Sequence, residues 1–543
     1  MNSRAVFTLP CIVLLAGCAT SELATAPQSP DRPWVPTTSE SGAIIPSGQG
    51  DRHPHHGLVL PEGFTLPANK DALQHAQSPE LIARQDHPYS LAELIDVAQS
   101  RNPETRRSWN AARDAALAVG ITKSIYLPQL TATVVGGYSH SHTSDSNASI
   151  SDAGAVGGLI NNGLDNLDRY TRNNGGGGSG SGEVQTLGMQ WLLFDFGKRE
   201  ASIEAARQVQ IASNILFTAA HQKIIYGVTT AFYTHAAAET RLRLLREALV
   251  NARHVQAAAE ARLKQGQGTI VDVTQAQQIT SQDELRVVQA EGEVENTRLA
   301  LMTAMGVSSQ SQIDTMDVSG RTLSLDDGRL TDEMVKTAVS RRPDVLAAYA
   351  AARAADSRVS AAKSEFLPKV FLSGNVAYTT GRLALSSVPG IGNDSNPTLN
   401  LSSNRFSSLI LGGISVPVFD GGMRAAFLKQ AQNQSDSANA TLQQTVNEAV
   451  RQVVVAENAV HTSLSAYTAS TRLKTAAQTS FNAAFTAYRS GVGSITQATI
   501  AQNGLLDATI SQSDAYFAAL IAATSLAFST GSLGGASATD GAD

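Results

Sequence analysis

The chain has 543 residues, of which 16% are charged, with a formal net charge of −6 and a pI near 6.0. Soluble proteins average roughly 25% charged residues, and a chain without a basic footprint is a poor partner for nucleic acid. Aromatic residues are only 5%, a composition that suits long, thinly packed helices better than one thick globular core.

The chain opens "MNSRAVFTLPCIVLLAGCAT", with one cation, Arg4, an apolar run and small residues at its end. The run is shorter than the ~20 residues of a spanning helix, so residues 1–17 read as a secretory signal. The last four positions, Leu15-Ala16-Gly17-Cys18, resemble the lipobox of bacterial lipoproteins. That resemblance implies cleavage before Cys18 and acyl chains, including diacylglycerol, on its thiol and new amine. The alternative is an ordinary signal peptide with a chance cysteine. Residue 19 is Ala rather than Asp, which in such lipoproteins resembles sorting to the outer membrane. With Cys11 removed and Cys18 acylated, no thiol remains for a disulfide or a metal.

Eleven of the 18 prolines lie before residue 90. Residues 18–88 are rich in Pro, Ser, Thr, Gly and His without periodicity, and read as an extended tether or surface belt. Between Pro128 and Pro343, and after Pro417, there is no proline. An interior proline costs about 3 kcal/mol, so such spans permit very long helices. Residues 203–265 carry apolar side chains every three to four positions, with Gly227 the single breaker. If wholly helical, that run is about 90 Å long. A second such run covers 423–489. Each is followed by a glycine pair and another helical stretch. The reading is two long helical hairpins with tight turns at Gly266/Gly268 and Gly491/Gly493.

The two halves are copies of one another. Residues 102–130 match 342–370 at a constant offset of 240, aligning Pro103 with Pro343 and Leu127-Pro128 with Leu367-Pro368. Phe194-Asp195 and Phe419-Asp420, the tip glycines, and Ala276-Gln277 with Ala501-Gln502 share an offset of 225. The chain is a tandem duplication, with a first repeat over 89–340, a second over 341–530 and a flexible tail over 531–543. Each half runs helix, Leu-Pro, strand, loop, strand, Phe-Asp-Gly, long helix, glycine tip, helix. Strands are expected near 129–139, 184–194, 369–379 and 406–418. In "KVFLSGNVAYT", Val370, Leu372, Val376 and Tyr378 share a face opposite Ser373, Asn375 and Thr379. Pro128 and Pro368 stop a helix and begin a strand. Asp195 and Asp420 are placed to cap the helices that follow the strands. The polar, glycine-rich loop 139–182 and its shorter counterpart 380–405 suit the outward loops of membrane strand pairs.

Four strands fall short of the minimum of about eight in bacterial barrels, and open sheet edges cannot stand in hydrocarbon. Several chains must then share a barrel. The fold expected is an α+β membrane protein, with tandem-duplicated helical hairpins and four β-strands per chain. Three chains would form a 12-stranded β-barrel on a 12-helix α-barrel. The duplication, the Leu-Pro strand starts, the Phe-Asp-Gly strand exits and the tips "RLKQGQGTIVDV" and "YRSGVGS" resemble the TolC-like outer membrane efflux protein family. Cys18 makes the lipoprotein branch the nearest match. The resemblance covers about residues 89–530.

That resemblance implies a homotrimeric conduit in the outer membrane, anchored in its lipid and crossing the periplasm, without catalysis or cofactor. Its implied partners are a periplasmic adaptor protein and an inner-membrane transporter that supplies the energy. It also implies that the tips at Gly266, Gly268, Gly491 and Gly493 hold the gate and the adaptor contact. A hydrogen bond between Asp272 and Tyr488 would hold the aperture closed. Read by itself, Asp272 is equally a helix-start cap. Family members commonly carry lumenal aspartates after the second tip, where this chain has Gln497 and Ile500. An acidic ring is thus not expected, and Gln497 is left as a neutral candidate for the constriction. The histidines of "RHPHHG" (His53, His55, His56) and "SHSH" (His140, His142) lie in loops without fixed geometry and read as no metal site. The run 175–178, "GGGG", lacks the Lys-Ser/Thr of a phosphate loop. Small-molecule efflux is the leading function, and the exit duct of a one-step protein secretion system is its close variant. A periplasmic adaptor or a structural coiled-coil lipoprotein would lack the duplicated strand pairs.

Overall fold

The structure is a computed structural model that describes residues 88–140, 179–311, 330–383 and 405–533. It also describes parts of 313–323 and the dipeptide strands 37–38, 44–45 and 401–402. The signal, Cys18, the histidines at 53, 55, 56 and 142, the 175–178 run and most of the tether lie outside the described residues. Within the tether stretch, Thr37–Thr38 pairs with Ile44–Ile45.

Each half begins with a short helix and a proline-started one. Helix α1 (Leu91–Arg101) has a capping box between Ser90 and Glu93, and α2 (Pro103–Ser124) is capped by Asn102 with proline in its first turn. Strands β1 (Gln129–His140) and β2 (Ser179–Phe194) follow, then α3 (Lys198–Lys264) and α4 (Ile270–Met305). The second half repeats the order with α5 (Asp332–Arg341), α6 (Pro343–Ser364), β3 (Lys369–Leu383), β4 (Arg405–Ser415), α7 (Met423–Arg489) and α8 (Ile495–Ser529). Helices α2 and α6 both have 22 residues, and α3 and α7 both have 67, about 100 Å each. Glycine is tolerated at Gly227 inside α3, where an added Cβ would meet nothing within 4 Å.

The four long strands form one antiparallel sheet in the order β1-β2-β3-β4, with an irregularity between Leu192 and Phe194, and the dipeptide strand Leu401–Ser402 pairs with Arg382 and Leu383 at the end of β3. Its register puts Leu130, Val134, Leu187, Val376, Ile410 and Ile414 on one face, all at least 37% exposed. Thr131, Thr133, Thr186, Gln190, Asn375 and Ser407 share the other. The first face is the more apolar, although Phe371, Leu409 and Leu411 stand on the second, and β1 and β4 each leave an outer edge unpaired among the described residues.

Midway along the hairpins, α1 packs onto α3 and α4 through Leu94, Ala98, Val228, Phe232, Leu301 and Met302. The junction is duplicated in detail. Asn102 Nδ2 donates to Ala304 O at 3.0 Å, and Arg342 Nη1 donates to Ser529 O at 2.9 Å. Both pairs are related by the repeat. Gly306 and Gly531, with φ of 73° and 70°, turn the chain beside them. No described helix is long and apolar enough to cross a membrane, which says nothing of a β-barrel.

Candidate functional site: the helix tips and their roots

Both hairpin tips are built by the same backbone devices. Gly266 (φ 71°) and Gly491 (φ 82°) end the long helices in the left-handed region. Gly268 and Gly493 are needed for close approach. A Cβ would lie 3.1 Å from Leu263 N at the first and 3.0 Å from Tyr488 N at the second. The return helices then start with matching capping boxes. Asp272 N donates to Thr269 Oγ1 at 3.2 Å and Thr269 N to Asp272 Oδ2 at 3.0 Å. Gln497 N donates to Ser494 Oγ at 3.2 Å and Ser494 N to Gln497 Oε1 at 3.4 Å.

Asp272 and Gln497 are thus the same position of the repeat, three residues into a helix. The hydrogen bond expected between Asp272 and Tyr488 is absent from the single chain: Asp272 Oδ2 accepts from its own helix start, and the Tyr488 hydroxyl has no partner among the described residues. Tyr488 is 2% exposed, and its ring packs among Val255, Ala259, Ala276, Ile495 and Ala498. Its hydroxyl is buried without a hydrogen-bond partner among the described residues. Burial raises the Tyr488 pKa, the Asp272 charge adds to the rise, and Arg262 opposes it. Gln497, expected as a constriction residue, has its amide oxygen committed to the same kind of cap.

Arg262 joins the two tips. Its guanidinium donates from Nη1 to the Tyr488 carbonyl and from Nη2 to Gln267 O at 3.1 Å, with Cζ 4.9 Å from the centre of the Tyr488 ring. It ties the end of α3 to the end of α7. Sequence reasoning missed this residue, since its repeat mate is Ala487 and nothing in the spacing marks it.

A buried polar residue lies on each return helix above the tips. Asp283 is 1% exposed, with Oδ1 held by Arg286 Nη1 at 3.0 Å and Oδ2 unpartnered among the described residues. Burial raises its pKa, and Arg286 opposes that rise. Gln502 is 4% exposed, with both side-chain polar atoms unpartnered among the described residues.

At the other end, Asp195 and Asp420 lie two residues before the cap positions, which are Gly197 (φ 94°) and Gly422 (φ 89°). Each carboxylate nevertheless accepts from a first-turn amide, Arg199 N and Arg424 N, at 3.0 Å. The same arginines pair with the carboxylates by side chain, Nε to Oδ2 at 3.3 Å and 2.6 Å. They also bind the departing strand, Arg199 at Leu192 O and Leu193 O and Arg424 at Pro417 O. The repeated pattern Phe-Asp-x-Gly-x-Arg marks them in the sequence, at Arg199 and Arg424.

Two duplicated hairpins of this length, each rooted in a strand pair, define the architecture. Residues 94–307 and 334–532 match the family described as outer membrane efflux protein. The chain belongs to that family. As a member it is an outer membrane protein, and the family is one of channels rather than enzymes. It is 26% identical over 264 residues to outer membrane protein OprJ of Pseudomonas aeruginosa, 49% of this chain and 52% of OprJ. It is 23% identical over 303 residues to the cation efflux system protein CusC of Escherichia coli, 53% of this chain and 62% of CusC. The chain thus spans only about half to three-fifths of these relatives' lengths. A solved structure of CusC superposes with a TM-score of 0.65 at 19% identity, covering 81% of this chain and 91% of that one. This likeness is one of fold.

Proposed function

We propose that this efflux-family chain is the outer membrane channel of a tripartite pump, a passive, gated conduit for small molecules driven by an inner-membrane transporter. The observation that carries the reading is the four-stranded sheet. One face exposes Leu130, Val134, Leu187, Val376, Ile410 and Ile414, and both outer edges lack partners among the described residues. Such a sheet is stable in hydrocarbon only when its edges close on other copies. Three copies close twelve strands and place twelve helices of the long hairpins in a tube beneath them. Cys18 supplies a lipid anchor at the same membrane.

The tips are the gate and the adaptor contact in this reading. Ile270, Val271 and Val492 stand 63–85% exposed there, an apolar rim on otherwise polar helices that suits a protein partner. Arg262, Tyr488 and Asp272 meet behind that rim. The test is the native mass of the full, lipidated protein in detergent together with conductance in planar bilayers. A trimer carrying acyl mass on Cys18 and forming pores is expected. A detergent-independent, water-soluble monomer would sink the reading.

A further inference from the structure

The two strand-to-helix roots share their turn chemistry, and the second adds a cavity that the turn does not need. This cavity, of about 550 Å³, lies beside the start of α7, within the roughly 300–1,000 Å³ of small-molecule sites. Its apolar wall comes from three segments: Ala361 and Ala362 on α6, Pro417 and Phe419 after β4, and Met423 and Phe427 on α7. Phe419 is 88% and Phe427 57% exposed, so aromatic surface is open to an incoming apolar body.

Five charged side chains line the same cavity, Lys198, Lys369 and Arg424 against Glu365 and Asp420. Arg424 Nε is held by Asp420 Oδ2 at 2.6 Å. Lys198 and Lys369 share Glu365, one on each carboxylate oxygen, with Lys369 at 2.6 Å. Among the described residues no other carboxylate pairs with either lysine. Each ammonium has three donors, so the two lysines can take a second anion beside Glu365. The cavity carries one cation in excess.

The first repeat lacks most of these groups. At the offset of 240, Ala361, Ala362, Glu365 and Lys369 correspond to Ile121, Thr122, Ile125 and Gln129. At 225, Phe427 corresponds to Ser202. The Asp-Arg turn itself is kept, with Arg199 5% exposed and its Cζ 4.4 Å from the centre of the Tyr126 ring. A strand exit therefore forms without the alanine pair, Glu365 or Lys369, and their presence in the second half points to a ligand. Lys369 also fixes the side from which that ligand arrives. It opens β3 on the face of Ser373 and Asn375, opposite Leu372 and Val376. In the channel reading the face of Val376 and Ile414 meets lipid, so the face of Lys369 looks into the lumen.

We propose that this cavity is a lumenal binding site for amphiphilic anions, small molecules with an apolar body and one acidic group. The apolar body lies against Phe419 and Phe427, and the acidic group is held by Lys198 and Lys369. The site rests on the channel reading above and names a class of cargo within it.

The test uses the full-length lipidated protein in phosphatidylcholine nanodiscs, with naphthalene-2-sulfonate as the probe and calorimetric titration as the readout. Naphthalene-2-methanol and 2-naphthylmethylammonium are the neutral and cationic matches, and native mass is measured in parallel. The sulfonate should bind once per chain, about tenfold or more tighter than either match. Lys369→Gln should weaken it roughly tenfold, as for one lost charge-assisted hydrogen bond, and leave the alcohol unchanged. Glu365→Gln removes the competing carboxylate and should tighten it. Ala361→Phe fills the wall and should abolish binding in a native trimer, which covers charge variants that fold poorly. Equal affinity for the three probes, or sulfonate binding that survives Ala361→Phe, overturns the site and leaves the channel reading standing. A native monomer overturns both. Phosphatidylglycerol added to the disc should not compete with the sulfonate. Competition would assign the cavity to a lipid headgroup and overturn the lumenal ligand.

Discussion

At the first hairpin tip and the helix above it stand Arg262, Asp272 and Asp283, where the second has Ala487, Gln497 and Ala508. The backbone devices survive in both copies, from the left-handed glycines to the capping boxes. The charges at these three positions survive in one. A duplicated hairpin needs its turns twice, because each turn must satisfy its own helix ends. Contacts that join the two hairpins are needed once, and can be supplied from either side. Arg262 is such a contact, and Asp283 is a buried polar position that the second copy fills with alanine. The roots of the hairpins differ in another way: both keep the Asp–Arg pair, and its burial changes. The Asp195–Arg199 pair is 5% and 6% exposed by side chain, and the Asp420–Arg424 pair 23% and 13%.

The largest expected effect breaks the comparison at the roots. Arg199→Ala leaves Asp195 buried without its ion partner, a change that costs about 3–5 kcal/mol in comparable sites. Arg424→Ala, in a solvated copy of the same turn, should cost clearly less in the isolated chain. Thermal unfolding of both variants checks this, and equal losses would mean that burial does not separate the two roots. Arg262→Ala comes next. It removes a charged donor shared by the Tyr488 and Gln267 carbonyls, worth about 1.5–3 kcal/mol, and hydrogen exchange should rise at 263–269 and 488–494 together. Faster exchange at the first tip alone would show that Arg262 does not couple the hairpins.

Asp283→Asn should sharpen the contrast with Ala508 by stabilising the protein at neutral pH, because it removes the buried charge while keeping the side-chain shape. The folded-state pKa of Asp283 is raised by burial. Its contribution to stability is therefore fully present below the unfolded value of about 3.9 and is lost as pH rises through the folded value. The gap between variant and parent should open as pH rises from about 4 and close in acid. Melting curves across pH read it directly, and a gap independent of pH would assign the effect to packing.

Much of this was legible before any coordinates. Proline placement delimited the long helices, and the offsets of 240 and 225 recur as equal helix lengths and matched junctions. Period-two alternation in "KVFLSGNVAYT" anticipated the face shared by Leu372, Val376 and Tyr378. These features are local or periodic, and so are written in neighbouring residues. The Arg262 bridge is neither, since it spans 226 residues and has no repeat mate of its kind. Phe196, the one non-glycine residue at positive φ (52°) among those described, was equally unmarked. The split of each leading helix at Asn102 and Arg342 corrects the single helix expected in each half, and its cause is the restriction that Pro103 and Pro343 place on the preceding residue.

The smallest expected effects concern the pair the resemblance singled out. Asp272→Ala and Gln497→Ala each remove one arm of a capping box, and each should cost about 0.5–1 kcal/mol, of the order of a lost cap. Equal costs would show that both serve their own helix starts, and a larger cost at Asp272 would reveal a second duty. Tyr488→Phe separates the possibilities more cleanly. Its hydroxyl makes no hydrogen bond among the described residues, so removing it relieves an unmet buried group and leaves the ring packing intact. Stability should hold or rise slightly, and single-channel conductance should stay at the parent value. If the closed aperture depends on an Asp272–Tyr488 bond formed only in the assembled channel, the same variant will conduct more, and Asp272→Ala will match it. The double variant then decides, because two arms of one bond give no further increase when both are gone.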